Sequence, residues 1–428
     1  MNKHKQIFDN YLNGNNILIT GPGGTGKTFA IKQIYKHAKD NNKKISVTAL
    51  TGVASVLLDC NATTIHSWSG IGLANKNKSS IIKKIYTSPF YKYNWLNTDI
   101  LIIDEISMMS AYIFDLLNDI GKCIRNNNNI FGGIQLIFSG DFFQLPPIDK
   151  NSLFCFESNN FQFDKIIKLT KIYRQNDIKC KNILSNLRKG LITKNTIELF
   201  NSKIISNNSE INKCDNIVRL VPTKKKANNI NDYFIDLIKE KKYIYKRTYK
   251  ESAENLSLEQ IKKLNLMSEN EKETEYNFIK NSTLTNEQLI LKKGAYVMCI
   301  ANLNLEKGIA NGTTGKVIDF TPENFPIVKF NKDTIIVNKK EWKSENVPGI
   351  SVYQVPLILA WGITIHKAQG ITLDKAIVDI GADLFEAGQM YVALSRLKNL
   401  DELYIQAFNL DSLKINSKVL NYYNQLSS

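Results

Sequence analysis

The chain has 428 residues, 43% of them hydrophobic, with 56 Lys and Arg against 40 Asp and Glu and a net charge of +16; that length fits roughly two to four domains with ample cores. No apolar run approaches the ~20 residues of a membrane span, the polar start is not a signal peptide, and scattered cysteines without a C-x-x-C pair exclude a disulfide framework and a zinc site. The basic excess points to a polyanionic partner, nucleic acid before a membrane surface, although the abundance of Asn, Lys and Ile suggests an AT-rich genome and accounts for part of it.

In chain order, Ile17–Thr20 predicts a buried strand of apolar and β-branched residues. It runs into Gly21-Pro22-Gly23-Gly24-Thr25-Gly26-Lys27-Thr28, which meets the G-x-x-x-x-G-K-[ST] phosphate-loop pattern at every constrained position. Glycines let several N–H groups converge on one phosphate. Lys27 supplies charge to the β- and γ-phosphates and the Thr28 hydroxyl suits Mg²⁺. The following helix, about 29–38, turns its positive dipole end toward the nucleotide. ATP and Mg²⁺ are therefore the expected cofactors. The loop begins about twenty residues in, so no N-terminal regulatory domain is expected.

Further strands are predicted at Ile45–Leu50, Ile100–Ile103 and Gln135–Phe138, then in a second series at Ile166–Leu169, Ile217–Val221, Ile377–Ile380 and Leu403–Ala407. Strands alternating with helical stretches imply parallel sheets covered on both faces. Residues 240–290 are charged and read as helix and loop. From about 291 to 350 short strands dominate (Tyr296–Ile300, Lys316–Phe320, Ile327–Phe330, Thr334–Val337), the texture of a small antiparallel barrel.

The strand Ile100–Ile103 ends in Asp104-Glu105. Beside a phosphate loop, the first acid belongs on Mg²⁺ through its water shell and the second on the attacking water. Gly140-Asp141-Phe142-Phe143-Gln144-Leu145-Pro146-Pro147 follows another strand. Gln144 there is placed to sense the γ-phosphate, or the segment is simply a turn held by Asp141 and the prolines. Arg174 and Arg396, both expected in the second series, are either arginine fingers or surface salt-bridge residues.

Six segments in order then resemble one family. They are Thr51-Gly52-Val53-Ala54, Thr64 to Gly72, Ile102 to Met108, Gly140 to Pro147, Thr364-Ile365-His366-Lys367-Ala368-Gln369-Gly370 and Tyr391 to Arg396. Together they resemble the motifs of the petite-integration-frequency (PIF) helicases of superfamily 1B. Asn311-Gly312-Thr313-Thr314-Gly315 is similar to that family's inserted SH3-like barrel.

The resemblance implies an α/β fold of two RecA-like (P-loop NTPase) domains with parallel sheets and an inserted SH3-like β-barrel. The first domain would span 1–165, with a small wedge-type insertion at about 66–95. The second would take 166–240 and 351–428, interrupted by 241–350. It also implies ATP-driven 5′-to-3′ movement on single-stranded DNA, with unwinding of duplexes, ss/ds junctions and G-quadruplexes. Carried over, Thr51, His66, Thr364, His366 and Lys367 would touch DNA. Gln144, Arg174, Gln369 and Arg396 would couple to nucleotide, and Gln6 would read adenine.

Trp68 and His66 offer flat faces for base stacking, with core packing the competing reading for Trp68. Lys224-Lys225-Lys226 and the Tyr/Lys stretch 241–250 either extend the DNA path or form a solvated basic face. The wedge region is short and rich in Lys and Tyr (Lys76, Lys78, Lys83, Lys84, Tyr91, Tyr93). A minimal, monomeric, intracellular helicase core is the expected protein. An RNA helicase of the same superfamily and a DNA-stimulated ATPase switch without unwinding are the alternatives.

Overall fold

The computed structural model describes residues 3–426 except 73, 75–76, 148–151, 206–215, 255, 266, 284, 305, 331, 345–346 and 348, so Lys76 lies outside the described residues. By internal contacts the chain divides into two units. The first is Met1–Ile192 with Glu386–Ser395 and Leu413–Ser428; the second is Thr193–Phe385 with Arg396–Ser412.

The first unit is built on six parallel strands: β1 (Ile17–Thr20), β2 (Ile45–Ala49), β3 (Thr63–Thr64), β4 (Ile100–Asp104), β5 (Gln135–Gly140) and β6 (Lys165–Lys168). Their order is β3-β2-β4-β5-β1-β6. In register, Ile17 faces Ile137 on one side and Lys165 on the other. Side chains alternate between faces with the period of two that a strand imposes. Ile17, Ile19, Val47, Ile100, Ile102 and Ile137 join one apolar layer with helices Lys3–Leu12 and Lys27–Asp40. Leu18, Leu101, Ile103, Leu136 and Phe138 join the other with helices Ala111–Arg125 and Ser417–Gln425. Both faces are covered, which is why these strands read as unbroken apolar runs.

The strand β6 differs from the sequence expectation, which grouped it with the second series: it is the edge strand beside β1. Only Ile167 of its four residues is buried, and Lys165 and Lys168 flank it. Short, lysine-bearing edges of this kind resist pairing with other chains.

The second unit contains a four-stranded parallel sheet ordered Gly362–Thr364, Val218–Val221, Ala376–Ile380, Leu403–Phe408. Between its first two strands in sequence lies an inserted β domain of antiparallel sheets. The largest has five strands, Asp333–Ile336, Pro326–Phe330, Thr314–Phe320, Tyr296–Cys299 and Leu357–Leu359. Residues 240–290, expected as helix and loop, also hold two whole strands and most of a third. Tyr243–Lys246 pairs with Gln288–Leu291, and Thr248–Glu251 pairs with Ile350–Gln354. Among the described residues no helix is long and apolar enough to cross a membrane.

Phe114 is fully buried in the first unit, packed edge-on against Phe138 and close to Phe131 and Phe161. Phe114→Ala should cost about 3–5 kcal/mol through lost contacts and the cavity left behind. Urea unfolding followed by tryptophan fluorescence should show an earlier midpoint with an unchanged slope.

Candidate active site

Parallel strands deliver their loops to one edge, and the carboxyl ends of β1 to β6 carry most of the residues singled out above. After β1, Gly24 has φ +78° and a Cβ there would lie 2.5 Å from the Arg174 Cβ. Gly26, at φ +88°, starts the helix Lys27–Asp40, and a Cβ would meet the His4 ring at 2.8 Å. Only glycine satisfies both conformation and space at these two positions. Thr25 is buried and its hydroxyl donates to the Pro22 carbonyl at 2.9 Å, bracing the turn. The Gly23 N–H donates to the Tyr391 hydroxyl at 3.1 Å.

Lys27 donates to the carbonyls of Gly21 (2.7 Å) and Pro22 (3.0 Å). Burial pushes its pKa down, while the carboxylates of Asp141, Glu105 and Asp104 oppose that shift. Asp104 ends β4 and is buried; burial raises its pKa, with the Glu105 backbone N–H and the Lys27 charge among the groups pulling it back. Glu105 follows in the left-handed region at φ +55°. A non-glycine residue held there costs of order 1 kcal/mol or more and is found where geometry serves a site. Gln144 is buried beyond β5, and its N–H donates to the Asp141 carbonyl at 2.8 Å.

Among the described residues no group of three His, Cys, Asp or Glu could hold a metal ion by itself. Mg²⁺ is typically held by one or two carboxylates together with substrate phosphates. Solvent-open Thr28 at the helix start and Asp104 beside Lys27 fit that pattern.

Arg174 is a correction to the sequence expectation: it belongs to the first unit. The edge strand β6 explains this, because the chain leaving it runs beside the phosphate loop. Leu169 N–H donates to Thr20 O (2.7 Å), Tyr173 N–H to Gly24 O (2.8 Å), and Arg174 Nη1 to Ser395 O (3.1 Å). Arg396 and Gln369 are both buried in the second unit.

The contact from helix Lys3–Leu12 to the loop is made by His4, whose Nε2 lies 3.3 Å from the Gly26 carbonyl. Gln6 sits about 200° around the helix from His4 and accepts a hydrogen bond from Lys3. The His4 ring lies 5.7 Å from Phe29 and 6.3 Å from Tyr173, both solvent-exposed. These flat faces beside the phosphate loop suit a nucleobase, and sequence reasoning missed them. The periodic pattern His4, Ile7, Tyr11 was the available signal.

At the β2–β3 end of the same edge stand Thr51 and His66. The Thr51 hydroxyl accepts from Ala54 N–H at 3.2 Å and caps helix Gly52–Leu58. His66 is half-buried, and burial lowers its pKa, which favours the neutral imidazole. Trp68 is a second correction. It is 5% exposed, with its ring 4.7 Å from that of Trp95, and so is closed to base stacking in this conformation. In helix Ile65–Ser69 it shares the inward face with Ile65, three residues back.

In the second unit, the strands Gly362–Thr364 and Val218–Val221 are neighbours and release two basic loops from adjacent ends. The Thr364 hydroxyl accepts from Lys367 N–H at 3.3 Å. His366 lies parallel to the Phe385 ring at 6.0 Å, and burial lowers its pKa. Lys367 has its pKa lowered by burial and by the charge of Lys224. Lys224 opens helix Lys224–Leu237, capped by Thr223. Two cations that feel each other's charge near a helix N-terminus suit an anion. The Lys224–Lys226 run is thus divided, since Lys226 is tied to Asp379 at 2.6 Å and Asp383 at 2.5 Å. In the 66–95 region, Lys84 lies over Tyr91 and Lys92 over Tyr86, with Tyr93 exposed.

Comparison with known proteins matches residues 2–195 to the PIF1-like helicase family model and residues 276–320 to the model of the DNA helicase Pif1 2B domain. The chain is 31% identical to the ATP-dependent DNA helicase PIF1 of Emericella nidulans over 96% of this chain and 61% of that one. It spans less than two thirds of the length of the curated relatives it matches in fungi and vertebrates. The crystal structure of Pif1 helicase from Candida albicans is similar with a TM-score of 0.78 at 31% identity, covering 100% of this chain and 99% of that one. A Bacteroides Pif1 helicase in complex with ADP-AlF3 and ssDNA is similar with a TM-score of 0.67 at 27% identity, covering 100% and 96%.

Gly24→Ala forces a Cβ onto the Arg174 side chain in a backbone conformation alanine avoids. Nucleotide affinity should fall by about tenfold or more, a loss of at least ~1.4 kcal/mol. Titration with a fluorescent ATP analogue reads it directly, and wild-type affinity would refute the steric account.

Proposed function

The chain belongs to the PIF1-like helicases, and on that premise we propose that it is an ATP-dependent DNA helicase. The observation that carries this reading is one sheet edge in the first unit. There the phosphate loop, Asp104-Glu105 and Gln144 stand at the ends of β1, β4 and β5, with Thr51 and His66 at the neighbouring strand ends.

In this reading Lys27 leaves the Gly21 and Pro22 carbonyls for the β- and γ-phosphates. The Thr28 hydroxyl and Asp104 would hold Mg²⁺, which supplies charge neutralisation on the phosphates. Glu105 orients the attacking water from its left-handed position just after β4. Gln144 reads the γ-phosphate. Arg174, next to Gly24, offsets the charge that develops as the phosphoryl group departs, and the family resemblance gives Arg396 and Gln369 related tasks.

Single-stranded DNA is held through its backbone by Thr51 and His66 in one unit and by Thr364, His366 and Lys367 in the other, joined by Lys224. Such contacts tolerate any sequence, as a motor requires. The Bacteroides relative with ADP-AlF3 and ssDNA supports both ligands. Movement is assigned 5′ to 3′, the substrates include junctions and G-quadruplexes, the working unit is a monomer, and the place of work is intracellular.

Strand displacement with Mg·ATP on matched duplexes tests this. A 5′-tailed duplex should be unwound and a 3′-tailed one left intact, and Lys27→Ala should lower turnover about 100-fold or more. Unwinding from the 3′ tail alone would overturn the direction. Separately, Lys367→Ala should weaken single-stranded DNA binding and flatten the plot of log affinity against log salt by about 0.7. An unchanged slope would remove Lys367 from the phosphate path.

A further inference from the structure

Tyr423, in helix Ser417–Gln425, is 4% exposed and packs in the layer beneath β1 and β5. Its hydroxyl meets three polar groups. It lies 2.5 Å from Thr20 Oγ1, accepts from Phe142 N–H at 3.3 Å and donates to Asp141 Oδ1 at 3.4 Å. A phenol has one proton and two acceptor sites, a carboxylate only accepts and a backbone N–H only donates. The proton therefore goes to Asp141, Thr20 and Phe142 donate, and the hydroxyl is fully used.

The surroundings hold that hydroxyl in place. The Tyr423 ring stacks on Phe143 at 4.7 Å and 13°. The Arg188 guanidinium lies over both rings, 4.4 Å from Phe143 and 5.1 Å from Tyr423. Arg188 also grips both carboxylate oxygens of Asp141, at 2.7 and 2.9 Å. Asp141 in turn receives the Gln144 N–H on its carbonyl. Thr20 immediately precedes the phosphate loop, and Gln144 follows Asp141 by one turn. One phenol oxygen thus joins the backbone that presents Lys27 to the backbone that presents Gln144.

We propose that Tyr423 is a positioning residue of the ATPase site, coupling the phosphate-loop strand to the Gln144 loop, with Arg188 and Asp141 as its anchor. The proposal rests on the ATPase reading above. A tyrosine needed only for packing would be replaceable by phenylalanine, since every ring contact survives. Tyr423→Phe instead leaves the Phe142 N–H and the Thr20 hydroxyl without their acceptor and lets the two segments shift independently.

The test is a double-mutant cycle on DNA-stimulated ATP turnover with Tyr423→Phe, Gln144→Ala and the pair. Tyr423→Phe should lower kcat about 5- to 20-fold, the size expected for an orphaned buried hydrogen bond, with the KM for ATP within about twofold. In the Gln144→Ala background the same change should have no further effect. Thr20→Val removes the same hydrogen bond from the other side and should reproduce the loss without adding to it. Wild-type kcat in Tyr423→Phe, or losses that multiply with Gln144→Ala, would overturn the coupling while leaving the ATPase intact. A wild-type protein without DNA-stimulated turnover would instead overturn the ATPase reading itself.

Discussion

Lys27 is a half-buried cation, and much of the polar architecture around it answers that charge. A buried charge persists only when it is paired and hydrogen-bonded. Two backbone carbonyls accept hydrogen bonds from it, and the carboxylates of Asp141, Glu105 and Asp104 favour its charge against burial. Three acids around one ammonium leave an excess of negative charge, which Arg188 offsets in part by pairing with Asp141. Burial opposes the charge of Arg188 too, yet Asp141 outweighs it and its pKa is raised. Both signs of charge are therefore present at this sheet edge, as the proposed binding of a triphosphate requires.

Much of this was legible in the sequence because it is local. Residues Ile17–Thr20 and Ile100–Asp104 are buried on both faces, so their apolar runs announce themselves. The phosphate loop and Asp104-Glu105 are legible for a different reason: spacing along the chain is spacing in space when a single turn carries the chemistry. Where a feature depends on sheet order, the sequence is silent. Arg174 follows a mostly exposed strand whose pattern does not declare its neighbour, and pairing with β1 decides its unit. Trp68 shows the limit of residue type, since the same indole serves a core or a base and only helical phase distinguishes them. Tyr423 and Asp141 are 282 residues apart in the chain, with no local signal connecting them.

The second unit follows a simpler rule. Its four parallel strands place two loops side by side, and charge sorts the lysines on them. Lys226 is neutralised by Asp379 and Asp383, whereas burial and the nearby charge of Lys224 lower the pKa of Lys367. An arrangement that is unfavourable alone becomes favourable when an anion lies between the cations. The inserted β domain leaves this corner intact, because its antiparallel sheets lie between two strands of the parallel sheet in sequence without entering it.

The backbone at Glu105 has a consequence for how this protein can be improved. A left-handed glutamate stores strain that Gly or Asn would release. A library ranked by heat resistance alone would be drawn to position 105 and would reward the loss of its carboxylate. With the role proposed for Glu105, robustness and turnover would be in opposition at that residue, and directed evolution of a hardier protein would have to select for chemistry at every round.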